Sequence, residues 1–139
     1  MADAFLWPIR VYWEDTDAGG IVFYANYLKF FERARTEWLR SLGVEQQRLK
    51  DATGGMFVVT GTELRYHQPA RLDDWLQVQT TIQELGRASL TLHQVAHRIN
   101  PEKPDTLLCE GTIRIGWVDA SQMRPSRIPS AITDVLRHP

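Results

Sequence analysis

Asn26-Tyr27-Leu28-Lys29-Phe30-Phe31-Glu32-Arg33-Ala34-Arg35-Thr36-Glu37-Trp38-Leu39-Arg40-Ser41-Leu42 is the only long stretch of the chain with a helical period. Tyr27, Phe31, Ala34, Trp38 and Leu42 recur every three or four residues, which puts them on one face of an α-helix. Leu28, Phe30 and Leu39 widen that stripe, so the helix is expected to be well buried. It should begin at about Tyr24 or Asn26, with Asn26 a candidate N-cap. Gly43 stands where a helix commonly ends in left-handed backbone, and Arg40 lies in the last turn, where the helix dipole favours a cation. A second, shorter helix is expected from Val44 to Lys50.

Everything around this helix has the period of a strand. Phe5 to Trp13 alternates, with Ile9, Val11 and Trp13 on one side, and Pro8 suits an edge strand. Met56, Val58, Leu64 and Tyr66 share one parity, with a bend or bulge expected at Thr60-Gly61. Leu76, Val78, Thr80 and Ile82 line the next strand. In the following one, Leu90 and Leu92 point one way and Val95 and Ile99 the other, which predicts a bulge or cover on both faces. Cys109, Ile113, Ile115 and Trp117 line a last long strand, with Glu110, Thr112 and Arg114 opposite. Pro101 to Asp105 and Leu85-Gly86-Arg87 read as turns. Neighbours joined by short turns should pair antiparallel. Residues from about 119 read as an irregular tail with one helical turn over Ile132 to Leu136. The expected fold is α+β, a single domain over residues 1–139. One long helix lies on a roughly five-stranded antiparallel sheet. One helix leaves much sheet uncovered, so partner subunits are expected.

Composition narrows the function. The chain has 139 residues and a formal net charge of -1, so no bulk field draws it to nucleic acid or an acidic membrane. Its one cysteine, Cys109, excludes an intrachain disulfide and suits a reducing compartment. No signal peptide is legible over Met1 to Pro8, and no apolar run reaches transmembrane length. The expected location is cytoplasmic, with a position near the inner membrane left open.

The chemistry is expected just before the helix, in Glu14-Asp15-Thr16-Asp17-Ala18-Gly19-Gly20-Ile21-Val22-Phe23-Tyr24-Ala25. Gly19 and Gly20 permit a tight turn. First-turn N–H groups of a helix lack intrahelical partners and carry partial positive charge. A carbonyl placed there would be polarised, and the oxyanion formed on attack would be stabilised further. Asp17 could activate water or attack the carbonyl itself. Other roles stay open at this stage: Asp15 or Asp17 as a turn or helix cap, and Asp-Thr-Asp as part of a cation site. Asp-Ala-Gly-Gly-Ile lacks the spacing of a dinucleotide or Walker loop, and no Gly-x-Ser-x-Gly elbow is present.

The stretch from Val11 to Leu39 resembles the 4-hydroxybenzoyl-CoA thioesterase-like branch of the hotdog-fold acyl-CoA thioesterases. Tyr66-His67-Gln68-Pro69-Ala70-Arg71-Leu72-Asp73-Asp74 and Val118-Asp119 through Pro129 continue the likeness over nearly the whole chain. It looks closest to the Tol–Pal-associated members. The resemblance implies a hotdog fold, a helix wrapped by an antiparallel sheet, working as dimers often paired into tetramers. It implies acyl-CoA thioester hydrolysis, with Asp17 as nucleophile or general base and the Tyr24 backbone N–H polarising the carbonyl. Gly19 and Gly20 would support the loop. Tol–Pal-associated members commonly carry His at the position of Tyr24 and Ser at that of Asn26, whereas the 4-hydroxybenzoyl-CoA enzymes carry Tyr-x-Asn, as here. The backbone donor survives that exchange. Tyr24 could equally wall an acyl pocket or serve packing.

The resemblance also implies coenzyme A, as part of the substrate, running past Gly86-Arg87-Ala88-Ser89 and past Arg124 and Arg127. Solvated turn arginines are the competing reading. No separate cofactor and no metal are expected. Asn26 and His67 are further candidates to line the site. Arg71 and Asp73 are expected to form a structural ion pair. His93, His97 and His138 read as surface or interface histidines, and Cys109 as an unactivated core thiol. The rival function is a non-catalytic acyl-CoA or acyl-carrier-protein binding module serving envelope or lipid-synthesis proteins.

Overall fold

The computed structural model describes residues 4–137. Six strands form one antiparallel sheet: β1 (Phe5–Arg10), β2 (Gly55–Tyr66), β3 (Trp75–Leu85), β4 (Ser89–Arg98), β5 (Thr106–Asp119) and the short β6 (Arg124–Pro125). Their order is β1-β3-β4-β5-β2, with β6 also on β5. Helix α1 (Asn26–Ser41) lies against the apolar face, joined by two eight-residue helices, α2 (Gln46–Thr53) and α3 (Ser130–Arg137). The α+β architecture with one long central helix is thus the one expected; the short helix expected near Val44–Lys50 runs as α2, and the helical turn expected at Ile132–Leu136 is lengthened into α3.

The helix follows its period. Tyr27, Phe30, Phe31, Ala34, Trp38 and Leu39 are buried. Leu28 is not part of the stripe and stands 39% exposed. The N-cap position is Ala25, with no side-chain cap, and the Asn26 amide is used elsewhere. Gly43 closes the helix at φ 84°, with its N–H on the Arg40 carbonyl and the Val44 N–H on the Leu39 carbonyl. That double closure satisfies two of the orphan carbonyls at the helix end.

The sheet face under α1 carries Leu76, Val78 and Thr80 of β3, Leu90, Leu92, Gln94 and Ala96 of β4, and Ile113, Ile115 and Trp117 of β5. All the β4 residues named have one parity, so Val95 faces the other side, and the register breaks only at Ala96/His97. The bulge in β2 falls between Val59 and Gly61, as the sequence suggests. Its effect is to swap faces. Phe57 packs on the core before it and Leu64 after it, so the single parity expected for β2 does not hold. β2 also does not pair with β3, although only residues 67–74 separate them. It crosses to the far side of β5.

Three more expectations are corrected. Trp13 is 79% exposed, because the chain leaves β1 at Arg10 and turns through a 3₁₀ turn at Trp13–Asp15. Residues beyond 119 are not an irregular tail. β6 pairs with β5, and Ile128, Ile132 and Leu136 bury themselves in the core. The corner after β2 is shaped by Asp74, whose Oδ2 accepts the Arg71 N–H at 2.8 Å and lies 3.7 Å from Arg98 Nη1; Asp73, at φ 71°, forms no ion pair with Arg71.

One buried polar cluster ties α1 to the sheet. Gln94 Nε2 donates to the Phe31 carbonyl (3.0 Å) and to Thr80 Oγ1 (2.9 Å), and Gln94 Oε1 accepts from Arg35 Nη1 (3.0 Å). Burial pulls the Arg35 guanidinium below its ordinary value, with Glu32 partly offsetting. Gln94→Leu should therefore cost about 2–3 kcal/mol, because it strips three bonds and leaves buried partners unpaired. Adding Thr80→Val should recover part of the loss. Urea midpoints of the two variants check this.

Candidate active site

Asp15 anchors the loop ahead of α1. It is buried, its Oδ2 accepts the Tyr12 N–H at 2.8 Å, and its carbonyl accepts the Phe23 N–H at 3.0 Å and Asn26 Nδ2 at 2.9 Å. Between these points residues 16–22 make a small hairpin. Thr16 bridges Val22, the Asp17 N–H meets the Ile21 carbonyl at 2.8 Å, and the Gly20 N–H meets the Asp17 carbonyl at 3.0 Å. Gly20 sits at φ 79°, where a side chain would be strained.

Asp17 is at the exposed tip of this hairpin. Its Oδ1 accepts the Gly19 N–H at 2.8 Å, which fixes the carboxylate's direction. A Cβ on Gly19 would stand 3.2 Å from that same oxygen, so glycine leaves the carboxylate room. Among the described residues Oδ2 meets no hydrogen-bond donor.

The hairpin packs on the corner between β2 and β3. The Val22 N–H donates to the Ala70 carbonyl (2.8 Å), Ile21 bridges Arg71, and the Ala70 N–H donates to the phenol of buried Tyr27 (3.2 Å). The two sequence motifs therefore meet at the entrance of α1.

The entrance itself presents donors. The Phe23 carbonyl accepts the Asn26 N–H at 2.8 Å. A trans peptide points its N–H away from its carbonyl, so the Tyr24 N–H is aimed out of the helix. Tyr66, at the end of β2, donates its hydroxyl to the Tyr24 carbonyl at 3.0 Å and so fixes the next peptide. Partial burial raises the Tyr66 phenol above its ordinary value, with Cys109 and Tyr24 adding to the shift, which keeps it a donor. Among the described residues the Tyr24 and Ala25 N–H groups meet no backbone acceptor. Phe23, Tyr24 and Tyr66 are all exposed and adjoin, with ring centroids 4.8 and 6.2 Å apart.

The remaining candidates lie elsewhere. His67 turns to Glu110, Nε2 to Oε2 at 2.9 Å, on the outer side of the sheet, where His93 stands 3.6 Å from Glu110 Oε1. The His67 contact, and secondarily His93, hold the Glu110 carboxyl below its ordinary range. Arg87 and Ser89 lie at the start of β4 beside the segment that holds Arg127, and Arg124, on β6, lies opposite Asp119. The Ile128 N–H donates to the Arg87 carbonyl (2.8 Å), and Ser89 Oγ accepts from Arg114 Nη2 (3.2 Å). Arg87 and Ser89 stand just past Leu85, whereas the Asp17 hairpin adjoins the Trp75 end of β3. The eleven residues of that strand put about 30 Å between them. Cys109 is sealed in the core, and burial pushes its thiol up to about 12. His138 lies outside the described residues.

Two contributors were foreseen only in part. Asp15 fills the turn-cap role left open by the sequence, its carboxylate holding the Tyr12 N–H, and Tyr66 orients the Tyr24 peptide. Only the position of Tyr66 at the head of the second motif pointed towards the site.

Residues 11–136 match the family model of the thioesterase-like superfamily. The chain belongs to this superfamily. Among thioesterase-like relatives, the acyl-CoA thioester hydrolase YbgC of Escherichia coli is 45% identical over 128 residues, 92% of each chain. A probable thioesterase from Bartonella henselae superposes at a TM-score of 0.82 with 31% identity, over 91% of this chain and 99% of that one. The 4-hydroxybenzoyl-CoA thioesterase from Pseudomonas superposes at 0.87 over 96% and 99%, at 21% identity, a likeness of fold. The thioesterase-like fold is the hotdog expected from the two motifs.

Proposed function

We infer that this chain is an acyl-CoA thioesterase, hydrolysing the thioester to a free acid and coenzyme A. One observation carries the reading. A directed, exposed carboxylate, Asp17, stands on a hairpin joined to a helix entrance whose Tyr24 and Ala25 N–H groups meet no backbone acceptor among the described residues. Relatives named as acyl-CoA thioester hydrolases support the substrate class.

In this mechanism the thioester carbonyl oxygen takes the Tyr24 N–H, with help from the helix dipole. Charge gathers on that oxygen as the carbonyl carbon becomes tetrahedral, so the donor favours the transition state over the ground state. Asp17 then acts in one of two ways. It removes a proton from an attacking water, or it adds directly and forms an acyl-aspartyl anhydride that water cleaves. Either way the C–S bond breaks with its electron pair on sulfur. A thiolate is a weak base, so the step asks for no strong general acid and no cofactor. Phe23, Tyr24 and Tyr66 offer the acyl group an aromatic wall.

The coenzyme phosphates are assigned to Arg87, Arg124 and Arg127, with Ser89 beside them. Because a sheet length separates these from the same chain's Asp17, a second subunit supplies them in this proposal. The partner is a second copy of this chain. β2 is an edge strand of twelve residues with Val59 half exposed, and it offers unpaired backbone groups to another strand. A homodimer, paired further into a tetramer, is proposed on that basis. Among the described residues no helix is long and apolar enough to cross a membrane. The cytoplasm is the proposed location, in keeping with a single buried cysteine.

Free-thiol release from short-chain, long-chain and aromatic acyl-CoAs tests the reading, with sedimentation equilibrium run on the same sample. Turnover at least about 100-fold above spontaneous hydrolysis, from an oligomer, is expected. No turnover on any of them by folded protein would overturn it and favour an acyl-carrier-protein substrate or a binding role.

A further inference from the structure

The Asp15 carbonyl accepts two donors from the entrance of α1, the Phe23 N–H at 3.0 Å and Asn26 Nδ2 at 2.9 Å. A carbonyl can only accept, so the Asn26 atom facing it is the nitrogen. Asp15 is not free to follow the loop, since it is buried and its carboxylate holds the Tyr12 N–H. The hairpin carrying Asp17 leaves the chain at this point and returns to it. Among the described residues Asn26 provides the one side-chain hydrogen bond between that point and the helix. The backbone N–H of the same residue holds the Phe23 carbonyl at 2.8 Å, and that bond sets the direction of the Tyr24 N–H. Asn26 thus touches both halves of the site, the peptide that aims the oxyanion donor and the carbonyl two residues ahead of the carboxylate.

We propose that Asn26 is a positioning residue, whose side-chain amide fixes the Asp17 carboxylate relative to the Tyr24 N–H and makes no contact with the acyl group. This rests on the thioesterase reading. It replaces two simpler roles for Asn26. As an N-cap its side-chain oxygen would accept a backbone N–H of the first turn, whereas the N-cap position is Ala25 and Asn26 is already the first helical residue. As a substrate contact its amide would be free, whereas it is engaged within the protein. The site depends on geometry that a hairpin alone does not enforce, and misplacing reacting groups by about 1 Å is enough to cost about 100-fold.

The test is a set of Asn26 variants. Asn26→Ala suits a helix and should fold. It should lower kcat about tenfold or more while KM for an acyl-CoA changes less than about threefold. Asn26→Asp keeps the shape but turns a carboxylate on a carbonyl, and should lose at least as much. Asn26→Ser, a shorter donor, should retain more kcat than either. Amide hydrogen exchange reads the link without any substrate. In Asn26→Ala the Asp17, Gly20 and Val22 amides should exchange at least about tenfold faster, with the β3 and β4 amides unchanged. A raised KM with kcat intact would make Asn26 a substrate contact and overturn the proposal. So would faster exchange with kcat unchanged, which would leave a structural tie only, or unchanged exchange, which would leave the amide idle. If the wild type turns over no thioester, the functional reading fails by itself, and exchange still decides whether Asn26 pins the hairpin.

Discussion

Asp17→Asn should lower kcat by at least about 100-fold, or about 2.7 kcal/mol of transition-state stabilisation. The substitution is nearly isosteric, and the new amide oxygen can still accept the Gly19 N–H that Asp17 Oδ1 accepts. The hairpin should therefore keep its shape, and stability should stay within about 0.5 kcal/mol, as for most exposed positions. What disappears is the basic, nucleophilic oxygen. KM should change little, because the carbonyl donors and the aromatic wall are untouched. Steady-state thiol release with a parallel denaturant melt checks both halves. A folded variant keeping more than about a tenth of wild-type kcat would remove Asp17 from the chemistry. In the wild type, a thiol burst equal to the number of sites would favour the anhydride route over direct water attack.

The largest loss of stability is expected from Phe31→Ala. Phe31 is fully buried between α1 and the sheet, and its carbonyl also takes Gln94 Nε2. Removing the ring leaves a cavity under the only long helix, which should cost about 3–5 kcal/mol. That is a large share of the ~5–15 kcal/mol by which a domain is stable. The urea midpoint should fall with an unchanged slope, and Tm by about 10–15 °C. Activity below the transition should follow the folded fraction, because Phe31 faces the core and not the hairpin. A loss under about 1 kcal/mol would mean that the helix face had been wrongly assigned.

The sequence spoke where one local rule decides. The period of Tyr27, Phe31, Ala34 and Trp38 gave the helix its buried face, and Gly43 its end. Alternation gave Leu76, Val78 and Thr80 their common side, and Thr60-Gly61 marked the bulge. Where two distant segments decide together, local rules were silent. Nothing in β2 says that it crosses to pair with β5. The exchange of faces between Phe57 and Leu64 follows from the bulge geometry and not from parity. Trp13 reads as core by alternation, yet the strand has already ended. For the candidate site, the carboxylate and the glycines could be picked out because their chemistry is local. Asp15 was legible as a turn cap and Asn26 as a residue near the site, but the ties that Asn26 and Tyr66 make were not, because each reaches a backbone carbonyl 11 or 42 residues away, and such a bond leaves no trace in spacing.

The burial of Cys109 bears on how such an enzyme would coexist with its own product. Each turnover as proposed liberates a free thiol, coenzyme A, beside a protein with one cysteine. With its thiol pushed up to about 12 by burial and its side chain closed off, Cys109 stays protonated and out of reach. Mixed disulfides between the protein and oxidised coenzyme A should not form on the folded chain. Thiol-reactive dyes should count released product alone, and oxidative conditions that cap exposed cysteines in other proteins should leave this one untouched.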